Sequence, residues 1–317
     1  MRHRRRECPI AANAIVQKRL QASKISSAAT LYDETNAFTS LKKDAQYKKL
    51  EQTSIFALPL LKQYVNEQIL CHTAIDGDLI AWGGTGAAQG GPLAADLFRE
   101  CRDDPMDQYE SQCAEQLGGD FKTRCRVTGV KVDMALHSFV DDLCQRYVVS
   151  SVPDFKTKTN TANKSLGAVL EPLGIAQNLG KQKHLLSFWG RDSQKSTREA
   201  FLMQKWNDTP CDVAKDARYL GPQVHRLGLM SVEVRSRIRL MHVAWRCMGK
   251  FWHCKGPDRV KKIVFRALFF SVGASGLAGA VLGQREHDQL DKVVLRYARS
   301  VMSGDACEKK PTSRRSS

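Results

Sequence analysis

Apolar positions recur with different periods along this chain, and the periods predict a mixed set of elements. Ile15, Val16 and Leu20 lie between Lys18, Arg19 and Lys24, a spacing that predicts a short helix over 12–24. Ser27 to Tyr32 reads as a strand ending at Asp33, and helical patterns follow around 41–50 and 54–69. A glycine-rich passage from Gly83 to Gly91 opens a helix at Pro92, a residue suited to a first turn because no acceptor waits there for the proton it lacks. Arg102 to Asp120 is acidic and irregular, and is expected to be a surface insertion. Two β-rich runs, Val132 to Val140 and Leu143 to Val152, flank Asp141-Asp142 and predict a tight hairpin turn. A further strand is expected at Arg218 to Val224. From about 227 to 303 the pattern is mainly helical, with Trp245, Phe251, Trp252, Phe265, Leu268, Phe269, Leu290 and Leu295 as apolar anchors. Strands giving way to helices predict an α+β part followed by a helical one.

Composition narrows the chemistry. The 317 residues are 42% hydrophobic, enough for a sizeable core and two or more packed subdomains. Lysine and arginine number 49 against 33 acids, a net charge of +16 that suits a polyanion, nucleic acid or an anionic membrane surface. Arg235, Arg237 and Arg239 alternate with apolar positions and are expected to offer one cationic stripe to a nucleic-acid backbone. The ten cysteines include no C-x-x-C pair, which reads as reduced intracellular thiols. Cys247, His253 and Cys254 lack an evident fourth zinc ligand and are read as core or surface residues. Arg2-His3-Arg4-Arg5-Arg6 has no apolar run behind it, so it is not a signal peptide. Ala267 to Gln284 is uncharged but interrupted by Gly273, Gly276, Gly279 and Gly283, and reads as a buried helix and turn rather than a membrane span.

The acids carry the candidate chemistry. Asp33 ends a strand, while Asp141 and Asp142 sit on a hairpin far along the sequence. Adjacent carboxylates repel, and a third would raise their pKa values further. A divalent cation reverses that cost, and carboxylate oxygens suit Mg²⁺. Alone, an Asp-Asp dipeptide reads as an ordinary solvated turn, and only its company points elsewhere.

Five segments stand in order along the chain: Leu31-Tyr32-Asp33-Glu34-Thr35-Asn36-Ala37-Phe38; Gly86-Ala87-Ala88-Gln89-Gly90-Gly91-Pro92-Leu93, running on to Leu97-Phe98; Phe139-Val140-Asp141-Asp142; Asn178-Leu179-Gly180-Lys181; and Arg218-Tyr219-Leu220-Gly221. In these the chain resembles the reverse transcriptase family, in its non-LTR retrotransposon branch. They look, in turn, like the first and second palm motifs, the aromatic-x-D-D box, the fourth motif and the Y-L-G motif that closes the palm. Gly91 stands where the family usually has aspartate, Thr39 where an acid is frequent, and Gln182-Lys183 where Thr-Glu is common; none of these is a metal ligand.

The resemblance implies a right-hand polymerase: an α+β palm of antiparallel sheet with packed helices, followed by a helical thumb, with the fingers largely missing and the chain truncated at its N-terminus. The implied division is a basic remnant over 1–26, the palm over 27–226, the thumb-like region over 227–304 and a disordered basic tail over 305–317. The implied activity is RNA-directed DNA polymerisation of a retrotransposon, with two Mg²⁺ ions (Mn²⁺ as a substitute) bound by Asp33, Asp141 and Asp142. An RNA template, a DNA primer and deoxynucleoside triphosphates would be the partners, with no membrane involved. Phe38 would be the steric gate under the sugar, Gln89 and Gly90 would contact the incoming nucleotide, and Lys181 would give a proton or charge to the departing pyrophosphate. Tyr219, Leu220 and Gly221 would grip the primer. Two alternatives remain open: a catalytically inactive nucleic-acid-binding fragment of such an element, and a viral-type RNA-dependent RNA polymerase, against which Phe38 and Phe-Val-Asp-Asp stand.

Overall fold

The structure is a computed structural model that describes residues 7–53, 59, 65, 69–74, 77–82, 86, 94–118, 121–124, 129, 131–203, 205–206, 209–210 and 212–301. It divides into two compact units, Leu20–Lys215 and the described parts of Met1–Arg19 with Asp216–Ser317.

The first unit is α+β. Its main sheet centres on β1 (Ser27–Tyr32), the strand expected from the sequence. The other strands used here are β2 (Glu34–Thr35), β3 (Leu136–Phe139), β4 (Asp142–Val148), β5 (Ala176–Gln177), β6 (Lys183–Ser187) and β7 (Asp212–Ala214). The sheet order is β7-β6-β1-β4-β3, with β1 antiparallel to both neighbours. Every residue of β1 is buried, so its polar members need partners inside the fold. Thr30 has them in the Tyr147 hydroxyl at 2.7 Å and His184 Nδ1 at 3.1 Å, and the Ser27 and Ser187 hydroxyls lie 3.2 Å apart. Strand alternation puts Ala28, Thr30 and Tyr32 on one face. There Ala28, Tyr32, Leu143, Tyr147 and Leu186 pack in one core with Phe98, Tyr109, Phe155 and Leu166 from two helices.

Those helices are Ala94–Gln116 and Val152–Leu170. The second begins where a strand was expected to continue to residue 152: Ser151 Oγ accepts from the Asp154 amide at 3.3 Å, and Pro153 occupies the first turn. The first corrects a larger expectation. Most of the acidic segment read as a surface insertion is the continuation of this helix, because Cys101, Met106, Tyr109 and Cys113 recur three to five apart and are buried, while Asp104 and Asp107 face solvent. Most of the helix expected over 54–69 lies outside the described residues; Ile69–Ala74 instead pairs as a hairpin with Gly77–Trp82.

The second unit is mainly helical, as expected, with helices Glu7–Ala22 (its part through Arg19), Ser231–Met248, Asp258–Val264 and Gln284–Val301. An aromatic cluster holds it: Trp245 stacks on Trp252 at 4.5 Å, Tyr297 lies 4.4 Å from Trp245, and Phe265 stacks on Phe269 at 4.7 Å. Leu268 and Leu295, expected as anchors, are exposed instead. The cationic stripe is corrected as well. Arg235 and Arg239, one helical turn apart, are exposed, whereas Arg237 points the other way into the protein and pairs with buried Glu233. The segment expected as one strand at 218–224 is a hairpin, Asp216–Arg218 with Gln223–His225, because Leu220 (φ 55°) and Gly221 (φ 105°) turn the chain. Among the described residues no helix is long and apolar enough to cross a membrane.

Candidate active site

The end of β1 is where the candidate residues meet. Tyr32 pairs with Leu143 across β1 and β4, and the register carries Asp33 alongside Asp142. The turn joining β3 to β4 is as tight as the sequence suggested: Phe139 pairs with Asp142, leaving Val140 and Asp141 at the tip. Strand alternation then separates the neighbours Asp33 and Glu34. Asp33 is half-exposed, while Glu34 turns to the helix-covered face, where its side chain is fully buried against Arg102.

Burial and neighbouring charge act together on the acids. The Asp142 carboxyl is pushed up to about 6 by desolvation, then by Asp141 and Asp33, although solvent still reaches the side chain. Glu34 is pushed up to about 7, chiefly by burial, with Asp141 and Asp33 adding to it and Arg102 opposing.

The fourth motif docks directly on the first. The Asn178 amide donates to the Asp33 carbonyl at 2.8 Å, and Glu34 and Thr35 pair with Gln177 and Ala176 of β5. A short 3₁₀ turn, Leu179–Lys181, follows and brings Lys181 Nζ to 3.5 Å from Asp33 Oδ2. Both side chains are well exposed, so this pair adds little stability.

Phe38 follows Asn36, whose left-handed backbone (φ 47°, ψ 44°) breaks β2 into the single turn Ala37–Ser40. Its ring stacks on Phe98 at 4.5 Å. Gln89 and Gly90 lie outside the described residues, but Gly86, the first residue of the second motif, is fixed against the Thr39 backbone. Its amide donates to the Leu41 carbonyl at 2.8 Å, and buried Gln46 donates to its carbonyl at 3.2 Å. With φ at 91° and the Thr39 backbone 2.6 Å from where a Cβ would sit, only glycine fits there.

Tyr219, Leu220 and Gly221 belong to the helical unit, at the turn of the 216–225 hairpin. Tyr219 and Leu220 are buried, and the Tyr219 amide donates to the Pro222 carbonyl at 3.0 Å.

The three carboxylates offer oxygen donors whose chemistry suits a hard divalent cation, with the Lys181 ammonium beside them. Among the described residues, however, no group of three or more His, Cys, Asp or Glu side chains is arranged to hold a metal ion as it stands. The acids are neighbours in charge rather than a closed ligand shell.

Sequence reasoning missed Glu34, Gln46 and Arg102. The available signal was the spacing of Phe98 and Arg102, which continues the buried face of a helix.

No protein-family model matches this chain, and no curated protein does. Among solved structures it is similar to apo telomerase from Candida tropicalis truncated from the C-terminal domain (TM-score 0.45, 13% identity, covering 69% of this chain and 38% of that one). It is also similar to apo telomerase from Candida tropicalis (0.45, 12%, covering 92% and 50%). A third is telomerase from Candida albicans in complex with the TWJ fragment of telomeric RNA (0.43, 12%, covering 92% and 46%). The chain thus spans half or less of the length of these structures, and likeness at this level assigns no family.

Proposed function

We propose that this chain is the polymerising core of a reverse transcriptase of the retrotransposon type, extending a DNA primer on an RNA template. The observation that carries this reading is the pairing of β1 with β4, which sets Asp33 beside Asp141 and Asp142 at one end of a sheet. Asp33, Asp141 and Asp142 would hold Mg²⁺, which when bound activates a hydroxyl nucleophile and offsets charge on phosphates. Phe38, braced from below by Phe98, would lie under the sugar and reject a 2′-hydroxyl. Lys181 would leave Asp33 to place its charge, or a proton, on the departing pyrophosphate, a role that depends on position more than on strength. Gln89 and Gly90 would meet the incoming nucleotide, and Tyr219, Leu220 and Gly221 the primer end.

The test is extension of a DNA primer on an RNA template with Mg²⁺ and deoxynucleotides. Asp141→Ala is expected to lower the rate by on the order of 10³-fold or more, since each bound ion supplies several kcal/mol of charge stabilisation. An intact chain that extends no better than this variant removes the proposal.

The unclosed carboxylate cluster favours one second reading, a nucleic-acid-binding chain without turnover. That reading expects binding to RNA and DNA that weakens steeply with salt and little sequence preference. It also expects no nucleotide incorporation even with Mn²⁺.

A further inference from the structure

One arginine ties together the parts of the candidate site. The helix Ala94–Gln116 presents Phe98 and Arg102 one turn apart on its buried face. Phe98 carries the stacked Phe38 ring, and the Arg102 guanidinium lies 5.8 Å from the Phe98 centroid. Arg102 then reaches both carriers of the acids. It pairs with Glu34, the residue after Asp33, donates to the Val140 carbonyl at the hairpin tip, and donates to Ser138 Oγ at 3.3 Å.

The hairpin needs such a hold. Val140 has φ at 57°, a left-handed conformation that a β-branched residue adopts only where its surroundings impose it. Asp141 and Asp142 follow it directly, so relaxation of that turn would swing both carboxylates. A buried ion pair contributes little net stability compared with apolar packing. The Arg102 side chain is only 4% exposed and that of Glu34 0%, so stability alone does not account for them.

We propose that Arg102 is a positioning residue: it clamps the strained Val140 turn to Glu34 and so fixes Asp141 and Asp142 relative to Asp33 and to the Phe38 gate. The catalytic part of this inference rests on the polymerase reading above; the clamp itself does not.

The experiment compares the intact chain with Arg102→Met and Arg102→Lys by amide hydrogen exchange and by single-nucleotide extension. Arg102→Met is expected to speed exchange at residues 139–143 by roughly tenfold or more while the helix Val152–Leu170 stays within about twofold. It is expected to lower kcat about 100-fold with the primer–template Kd unchanged, as a misplacement near 1 Å would. Arg102→Lys, which can reach one partner but not fork between them, is expected to recover part of both signals. Glu34→Gln keeps the volume and loosens the hold on the guanidinium; it carries the same expectation at smaller size and decides the matter if Arg102→Met does not fold. Equal acceleration in both segments, or none at the hairpin, overturns the proposal. A chain that extends no primer removes the polymerase reading, and hairpin exchange still decides the clamp.

Discussion

Among the described residues, each unit buries one glutamate–arginine pair, and the two pairs are built differently. In the helical unit, Glu233 and Arg237 lie one turn apart on a single helix. The second Glu233 oxygen accepts the Gln223 amide at 2.6 Å, and Arg237 also reaches the Val272 carbonyl at 3.4 Å. That pair pins the 216–225 hairpin to the helix. At the end of the sheet, Glu34 and Arg102 come from distant elements and are less well served. Among the described residues, Glu34 Oε2 and Arg102 Nε have no hydrogen-bond partner, and two more carboxylates press on Glu34. The saturated pair satisfies its own groups and ties two elements together, whereas the frustrated one marks a place where the fold gives up stability for geometry.

The largest expected effect breaks the saturated pair. Arg237→Met leaves Glu233 as a buried, unpaired charge, a change that costs about 3–5 kcal/mol. Chemical unfolding with tryptophan fluorescence should read it, since Trp245 and Trp252 both lie in that unit. A loss under about 1 kcal/mol would place the pair in the range of ordinary surface ion pairs and end the contrast.

The frustrated pair is also the one the sequence hid. β1, its closing aspartate and the hairpin were legible because strand alternation and turn chemistry are local signals, and the strand ends where the sequence placed it. The spacing of Arg102 from Phe98 hinted at a buried helix face, but its partners were not legible. Read locally, an arginine followed by Asp103 and Asp104 belongs on a surface; only the three-dimensional meeting with Glu34 and Val140 makes it interior. Two of the corrected elements were hidden in other ways. Acidic residues on the outer face of the helix Ala94–Gln116 masked its apolar face. The Tyr219-Leu220-Gly221 turn depends on positive φ at Leu220, which its side chain does not advertise. The candidate site was therefore readable as motifs, while the side chains that hold the motifs in register were not.

A pH series sharpens the comparison at the frustrated pair. Glu34 is held at about 7 against an ordinary 4.5, so the folded state binds its proton more tightly than the unfolded chain does. Stability from this group is present at low pH and is lost as pH rises from about 4.5 to 7. His137 and His184, both pushed down to about 4 chiefly by burial, act with the opposite sign between about 4 and 6.5 and conceal the glutamate in the wild-type profile. Glu34→Gln removes the glutamate's titration and leaves the histidines, so its stability relative to wild type should improve by on the order of 2 kcal/mol from pH 5 to pH 8. A difference that stays flat across that range would show that burial does not raise the Glu34 carboxyl.

The smallest effect belongs to the hairpin aspartate. Asp142 is held at about 6 against an ordinary 3.8, with desolvation the main cause and Asp141 and Asp33 next. The sign matches that of Glu34: the charged form is disfavoured in the fold, so the penalty is absent below about pH 4 and complete above about pH 6. Asp142→Asn should therefore stabilise the chain at pH 7.5 and make no difference at pH 4, measured as a shift in Tm. Solvent reaches this side chain, and screening reduces the gain to about 1 kcal/mol. The same substitution should lower primer extension, since it removes a carboxylate from the cluster. Stability gained with activity lost is the signature of a group kept for its chemistry; a destabilised Asp142→Asn at pH 7.5 would make the hairpin aspartate an ordinary structural residue of the turn.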